Sequence, residues 1–435
     1  MKKRATMYRI FLILIFCIVI YNLNKLSNCY DRHLYTNEYK LDREVNKRDI
    51  KEDRDKAIKS MEGVHPIFLD KYPKKYIKIK RQFIKETNRC MTVGEFQLAL
   101  SKYLSSIEDG HTGVLWIPSM YLDINWKYTN DELVIFDENN KPTKKTVTKI
   151  NNIKIHKIID EVDRISASEN FVGNSLNRSE ISKYKLVLMS AGVDCSKDII
   201  ITIKDGYKET KEKITFIKNK KHSDHKNKIL SNMIDNQTMY IKLGTCEVNE
   251  QLYQVIEHIN KKINKDLENV IIDVRDNGGG TSEAGSMILN ALKFKHGNFG
   301  SIVRYSPLAQ SIYPNLKKDG YDTFERNNSV VKNEDINLFI ITNENTFSSA
   351  QWIATWVKDG NLGTIVGKPS SNRPSSFGDG LRPKLENSGL EIQISYKKWL
   401  RPDASRDNET VLMPDINVEV WENPIDVILK TISNN

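Results

Sequence analysis

Three short stretches of this chain hold residues able to do chemistry. The first is Asp276-Asn277-Gly278-Gly279-Gly280, which follows an apolar run and precedes a helical pattern. Successive glycines open backbone dihedrals closed to other residues. They let N–H groups face a ligand at a helix N-terminus, where the dipole favours negative charge. That suits a phosphate loop, an oxyanion hole or simply a tight turn. G-x-G-x-x-G is absent and no Gly-Lys-Ser/Thr follows, so neither a dinucleotide fingerprint nor a Walker loop is present. The second stretch is Asn343-Glu344-Asn345-Thr346-Phe347-Ser348-Ser349-Ala350-Gln351. It again sits where a strand gives way to a helix. A serine there projects at the C-terminal edge of a sheet, where α/β active sites gather, or caps the helix. The G-x-S-x-G elbow is missing, which disfavours an α/β-hydrolase. The third is His111, within Glu108-Asp109-Gly110-His111-Thr112. A lone turn histidine is usually structural; it becomes a general-base candidate only beside a nucleophile.

The surrounding pattern shows what would hold these residues. From Gln237 on, apolar runs at Met239–Leu243, Val270–Val274, Ile336–Ile341 and Gly363–Gly367 read as strands. Between them, helical spacing covers Glu250–Ile263, Ser282–Leu292 and Ser348–Val357. Strands alternating with helices predict a parallel α/β core. Residues 113–220 alternate more often, with strands expected at Val114–Ile117, Leu133–Phe136, Val147–Ile150 and Ile199–Ile203, and a helix at Ile153–Ile165. Ile67–Ile107 is helical, with Thr92 placed to cap a helix starting near Val93 and Glu95 in its first turn. Residues 30–60 are highly charged and read as a spacer or a solvated helix.

The chain has 435 residues, 28% of them charged, with a net charge of +10. Its 39% hydrophobic content excludes a disordered tail, a collagen and a multi-span membrane protein. Part of the positive charge is Lys2, Lys3, Arg4 and Arg9, ahead of an apolar run from Ile10 to Tyr21. That is an export pattern, either an uncleaved signal anchor or a signal peptide over residues 1–29. The expected location is therefore outside the cell, membrane-anchored or secreted, with the N-terminal segment as the membrane contact. Lys218–Lys228 is basic but carries no interleaved aromatic residues, as a single-strand nucleic-acid groove would, so no nucleic-acid partner is expected. Five cysteines are scattered without C-x-x-C or zinc spacing, and no metal or other cofactor is expected.

Taken together, Arg275-Asp276-Asn277-Gly278-Gly279-Gly280, then Thr346-Phe347-Ser348-Ser349-Ala350-Gln351, then Val366-Gly367 resemble the C-terminal processing (tail-specific) serine peptidases. The likeness covers about residues 233–420, and His65-Pro66 with Asp109-Gly110-His111-Thr112 extends it back to about residue 60. It implies a crotonase-like (ClpP/crotonase) α/β core of ββα units and a protein or peptide substrate. Ser348 matches the family nucleophile. Where one branch has its base lysine, this chain has Arg373, which cannot take a proton. The chain is closer to the tricorn-core-like branch, whose base comes from a Gly-His-Thr turn, here His111. That branch orients its histidine with a glutamate shortly before a Pro-Asp pair; ahead of Pro414-Asp415 this implies Glu409, with Asp407 as rival. Gly278, Gly279 and Ser349 would supply the oxyanion hole. Asp359 reads as a structural helix-end residue.

The implied organisation is a helical domain over 61–112, a mostly β, degenerate PDZ-like or cover region over 113–232, and a catalytic domain over 233–435. Val147–Ile155 resembles a PDZ strand, but the carboxylate-binding loop of such domains is not evident. The implied function is an exported serine endopeptidase working through an acyl-enzyme. The alternative is a catalytically silent relative that binds peptides or other ligands.

Overall fold

The computed structural model describes residues 37–117, 120–218, 228–265 and 267–434. The expected signal anchor or signal peptide lies outside them, as does most of the basic Lys218–Lys228 stretch. Among the described residues no helix is long and apolar enough to cross a membrane. The longest, α1 at Lys47–Val64, spans 18 residues but carries charge on much of its length. The expected membrane anchoring is corrected on this ground.

Helix α1 begins inside the stretch expected to be a spacer. Its apolar residues are sparse but fall on one face: Ile50, Ala57, Ile58, Met61 and Val64 are all buried. It packs with α2 (Lys74–Glu86) and α3 (Val93–Leu104). The Thr92–Glu95 pair forms a full capping box at α3, worth about 1 kcal/mol. Phe83 stacks on Tyr103 at 4.7 Å and fastens α2 to α3. The chain then turns through Asp109–Thr112 into β1 (Gly113–Leu115).

The cover region is an antiparallel sheet of β2 (Trp126–Thr129), β3 (Glu132–Phe136), β4 (Pro142–Ile150), β5 (Ile199–Asp205) and β6 (Lys208–Ile214), in the order β6-β5-β4-β3-β2. Between β4 and β5 come α4 (Ile155–Ile165), α5 (Phe171–Ile181) and α6 (Lys185–Ser190). Only the first of these helices is evident from apolar spacing. The loop between α4 and α5 carries Glu169, whose Oε1 accepts Gly110 N–H at 3.0 Å.

The catalytic half holds β7 (Ile229–Met233), β8 (Thr238–Leu243), α7 (Glu250–Lys262), β9 (Asn269–Asp273), α8 (Glu283–Ala291), β10 (Gly300–Arg304), β11 (Tyr321–Phe324), β12 (Asn337–Thr342), α9 (Ser349–Asp359), β13 (Thr364–Gly367), β14 (Phe377–Leu381), β15 (Glu391–Leu400), β16 (Ile416–Asn417) and α10 (Pro424–Ser433). One sheet runs β7-β8-β9-β12-β13-β16, parallel from β8 onward. Val270, Ile272, Leu338 and Ile340 pack under α7, α8 and α9, while Ile271, Phe339 and Ile341 pack with α10 on the other face. Burial on both faces explains why these strands read as unbroken apolar runs.

A second sheet, β11-β10-β15-β14, adds β1 from the helical region as a further partner of β15. Ile392, Ile394 and Tyr396 of β15 share one core with α1 and α3. The helical region and the catalytic half therefore fold against each other. The crossovers β8-α7-β9 and β12-α9-β13 each use a single helix, and β10 and β11 leave for the second sheet. These crossovers are not ββα units.

Candidate active site

Two loops at the C-terminal edge of the parallel sheet are bound to each other. Asn277 is fully buried; its Nδ2 donates to Leu243 O at 2.8 Å, and its carbonyl accepts Phe347 N–H at 2.9 Å. Thr346 Oγ1 donates to Val274 O at 3.0 Å, joining the ends of β9 and β12. Gly279 has φ +104°, and a Cβ there would fall 2.7 Å from Ser348 Cβ. At Gly280, with φ +138°, a Cβ would fall 2.6 Å from Cys246 O. Both positions need glycine for conformation and for space.

Ser348 has φ 53° and ψ −126°, a sparsely populated conformation for a non-glycine residue. Such strain costs of order 1–3 kcal/mol and concentrates at functional sites. The surroundings hold it: Ser348 N–H donates to Asn372 Oδ1 at 2.8 Å, and Ser348 O accepts Trp352 N–H in the first turn of α9. Ser349 opens α9, so its N–H is a first-turn donor without an intrahelical acceptor. Ser349 Oγ donates to Gly280 O at 2.8 Å.

Ser348, Ser349, Gly280 and His111 line one cavity of about 340 Å³ with Trp352, Phe377, Gly378, Asp379, Lys397 and Trp399. Its aromatic wall is braced from behind, where Trp352 stacks on Phe299 at 4.0 Å and meets Trp399 edge-on at 4.7 Å. Larger clefts of about 550 and 830 Å³ contain neither Ser348 nor His111.

His111 is held from several sides. Its N–H donates to Asp109 Oδ1 at 2.9 Å, its carbonyl accepts Gln393 Nε2 at 2.8 Å, and its ring lies 4.6 Å from that of Phe347. Asp109 is fully buried and also accepts Ser395 Oγ at 2.7 Å and His65 Nε2–H at 3.1 Å. Ile67 N–H donates to His65 Nδ1 at 3.1 Å, which places the His65 proton on Nε2. Burial opposes the Asp109 charge, yet His65, His111 and Ser395 hold its carboxyl far below the usual range.

The acidic group nearest His111 Nδ1 is one the sequence did not single out. Glu169 Oε1 lies 3.6 Å away and Asp109 Oδ1 3.9 Å away. Nδ1 is buried without a formed hydrogen bond. Burial works against an imidazolium here, but Glu169, Asp109 and Asp379 outweigh it and raise the His111 pKa. Nothing local marks Ser168-Glu169-Asn170 in the sequence; only the docking of the α4–α5 loop brings it in.

Glu409 and Asp407 lie elsewhere. Glu409 pairs with Arg401 at 2.9 Å and Arg406 at 2.8 Å, and Asp407 with Arg326 at 2.6 Å. Arg401 is fully buried and also pairs with Asp359 at the end of α9, so this network fastens the C-terminal loop. Neither acid is among the groups facing His111. Of the glycines, Gly279 gives its N–H to Asn277 Oδ1 at 2.8 Å, and Gly280 is the one lining the cavity. Arg373 is exposed, and its backbone N–H donates to Glu169 Oε2 at 2.8 Å.

Asp109, His111 and Glu169 bring donor atoms within 4.8 Å of one another, the spacing of a metal site. The carboxylate oxygens already accept N–H and O–H donors from Gly110, His111, Asn372, Arg373, His65 and Ser395. Such a donor set suits a hydrogen-bonded relay better than an ion.

The structure thus brings a serine at a strained strand-to-helix step, a buried histidine and a glycine loop to one cavity. The family model that matches is Peptidase family S41, over residues 237–418, a match that points to a serine-type peptidase. Solved structures of mature CPAF are similar to the chain. One aligns at 10% identity with a TM-score of 0.57, covering 89% of this chain and 95% of that one. Another, complexed with lactacystin, aligns at 10% identity with a TM-score of 0.55, covering 89% and 96%. A photosystem II D1 C-terminal processing protease aligns at 12% identity with a TM-score of 0.44, covering 85% and 93%. No curated protein matches the sequence. The fold is that of the CPAF-type proteases, and the expected crotonase-like (ClpP/crotonase) core is corrected accordingly.

Proposed function

We propose that the chain hydrolyses peptide bonds through an acyl-enzyme on Ser348, with His111 as the base. The observation that carries this is the shared cavity of the two side chains, with His111 Nδ1 turned toward carboxylates. His111 Nε2 takes the Ser348 Oγ proton as the oxygen attacks the carbonyl carbon, then returns it to the leaving amine. Water repeats the sequence on the ester. The Ser349 N–H and the 278–280 loop receive the developing oxyanion. Losing one such donor typically lowers turnover roughly 100- to 1000-fold. The Gly-His-Thr turn supports a tricorn-core-like arrangement over a Ser–Lys dyad, since Arg373 stands at the lysine position.

A fluorophosphonate probe tests the reading. Ser348 is expected to be labelled, with labelling abolished in Ser348→Ala and strongly reduced in His111→Ala. Labelling that persists in Ser348→Ala overturns the assignment. Peptide binding without labelling or turnover in the unaltered protein would instead establish a silent binding protein.

A further inference from the structure

We propose that Glu169 is a positioning residue that aligns both members of the Ser348–His111 pair, one with each carboxylate oxygen. The proposal rests on the reading of Ser348 as nucleophile and His111 as base.

The Glu169 side chain is 3% exposed and faces two ways. Oε1 accepts Gly110 N–H at 3.0 Å and lies 3.6 Å from His111 Nδ1. When Nε2 takes a proton from Ser348, Nδ1–H needs an acceptor to hold the imidazolium. Asp109 Oδ2 already serves His65 and Ser395, and Oδ1, which accepts the His111 backbone N–H, lies farther from Nδ1, at 3.9 Å. Oε1 has a lone pair left, because Gly110 uses only one. At 3.6 Å the contact is longer than a hydrogen bond, and such bonds in unliganded sites commonly shorten when substrate binds.

Oε2 accepts Asn372 Nδ2 at 2.6 Å and Arg373 N–H at 2.8 Å. This sets the Asn372 amide. Its NH₂ must face the carboxylate, so its oxygen faces Ser348 N–H, at 2.8 Å. Turned over, the amide would meet a carboxylate with its oxygen and an N–H with its NH₂, two repulsive contacts. Glu169 thus maintains, through Asn372, the acceptor that holds the strained Ser348 backbone.

The loop bearing Glu169 is itself fastened to the catalytic half. Asn170 caps α5 by accepting Gly173 N–H, and its Nδ2 donates to Ser370 O at 3.1 Å and Thr410 O at 3.3 Å. The cover region therefore supplies part of the active-site alignment.

The test compares Glu169→Gln, Glu169→Asp, Asn372→Ala and the double variant in the full chain. The readouts are fluorophosphonate labelling rate against pH and thermal midpoint. Glu169→Gln is expected to slow labelling roughly 100- to 10,000-fold, as when the acid of a triad is neutralised. The acid limb should move to lower pH, because His111 then loses its main charged neighbour and keeps only Asp109 and Asp379. Glu169→Asp should recover part of the rate and keep the limb high. Asn372→Ala should slow labelling without moving the limb, and its effect should not add to that of Glu169→Gln. An unchanged rate and limb in Glu169→Gln overturns the proposal while leaving Ser348 and His111 standing. Labelling that survives Ser348→Ala overturns the underlying reading instead. Should Glu169→Gln not fold, an undiminished labelling rate in Glu169→Asp, whose shorter side chain cannot span His111 and Asn372 together, likewise overturns it.

Discussion

His65 Nε2 donates to Asp109 Oδ2 at 3.1 Å, and both side chains are fully buried. The His65 ring also lies 4.4 Å from Phe377, which walls the cavity. One histidine from the helical region thus supports the His111 turn and the substrate wall together.

His65→Ala removes a hydrogen bond to a buried charge, which contributes about 1.5–3 kcal/mol, and opens a void beside Phe377. A lowered denaturation midpoint is expected, with a fall in kcat larger than any change in KM. Unchanged stability and kinetics would show that Asp109 holds the turn unaided.

The raised His111 pKa sets the pH dependence. As the proposed base His111 must be neutral, so activity should fall as pH drops through a value above the ordinary histidine value of about 6.5. For stability the sign is opposite. A folded-state pKa above the unfolded one stabilises fully below about pH 6.5, and the effect is lost as pH rises through the folded value. The stability difference between the unaltered protein and His111→Asn should be larger at about pH 5.5 than at about pH 8.5. Asp109, depressed in the folded state, adds stability above its unfolded pKa of about 3.9 that is lost on acidification. Midpoints across pH check both terms.

Gly279→Ala should disable the site. The new methyl would fall 2.7 Å from Ser348 Cβ at a backbone φ of +104°. Destabilisation beyond about 1 kcal/mol is expected where φ is positive and space is absent. Labelling of Ser348 should be lost even in the folded fraction, which gel-resolved probe labelling reports.

Glu409→Ala should leave the chemistry intact. Its carboxylate is 38% exposed and binds Arg401 and Arg406. A stability loss of about 1 kcal/mol is expected for a partly exposed pair, with Ser348 labelling unchanged. Arg401→Ala is the severe change, since it strips Asp359 of its buried partner, at a cost of about 3–5 kcal/mol.

What could be read along the chain was local. Apolar runs with breaks marked β8, β9, β12 and β13, because strands buried on both faces have no polar alternation to blur them. Thr92 and Glu95 marked the start of α3, because a cap acts within one turn. Ser348, the glycine loop and His111 stood out because each sits in a short stretch whose residue types are needed together. Helix α1 was hidden by its charge, since only a narrow face of it is buried. Helix α5 was hidden by weak apolar spacing and α6 by its length of 6 residues.

The acid beside His111 was not legible by any local rule. Glu169, Glu409 and Asp407 are all carboxylates in polar loops, and the family resemblance implied the pair near Pro414. Which of them meets the imidazole depends on where three chain segments dock. Asn170 ties the cover loop to Ser370 and Thr410, whereas Arg401 and Arg326 draw Glu409 and Asp407 away. Sequence by itself determined the strand-to-helix step at Ser348 and the glycines beneath it, because backbone geometry there demands particular residues. The partner of His111 was decided by tertiary docking, because a carboxylate's role depends on the charges and donors that surround it after folding.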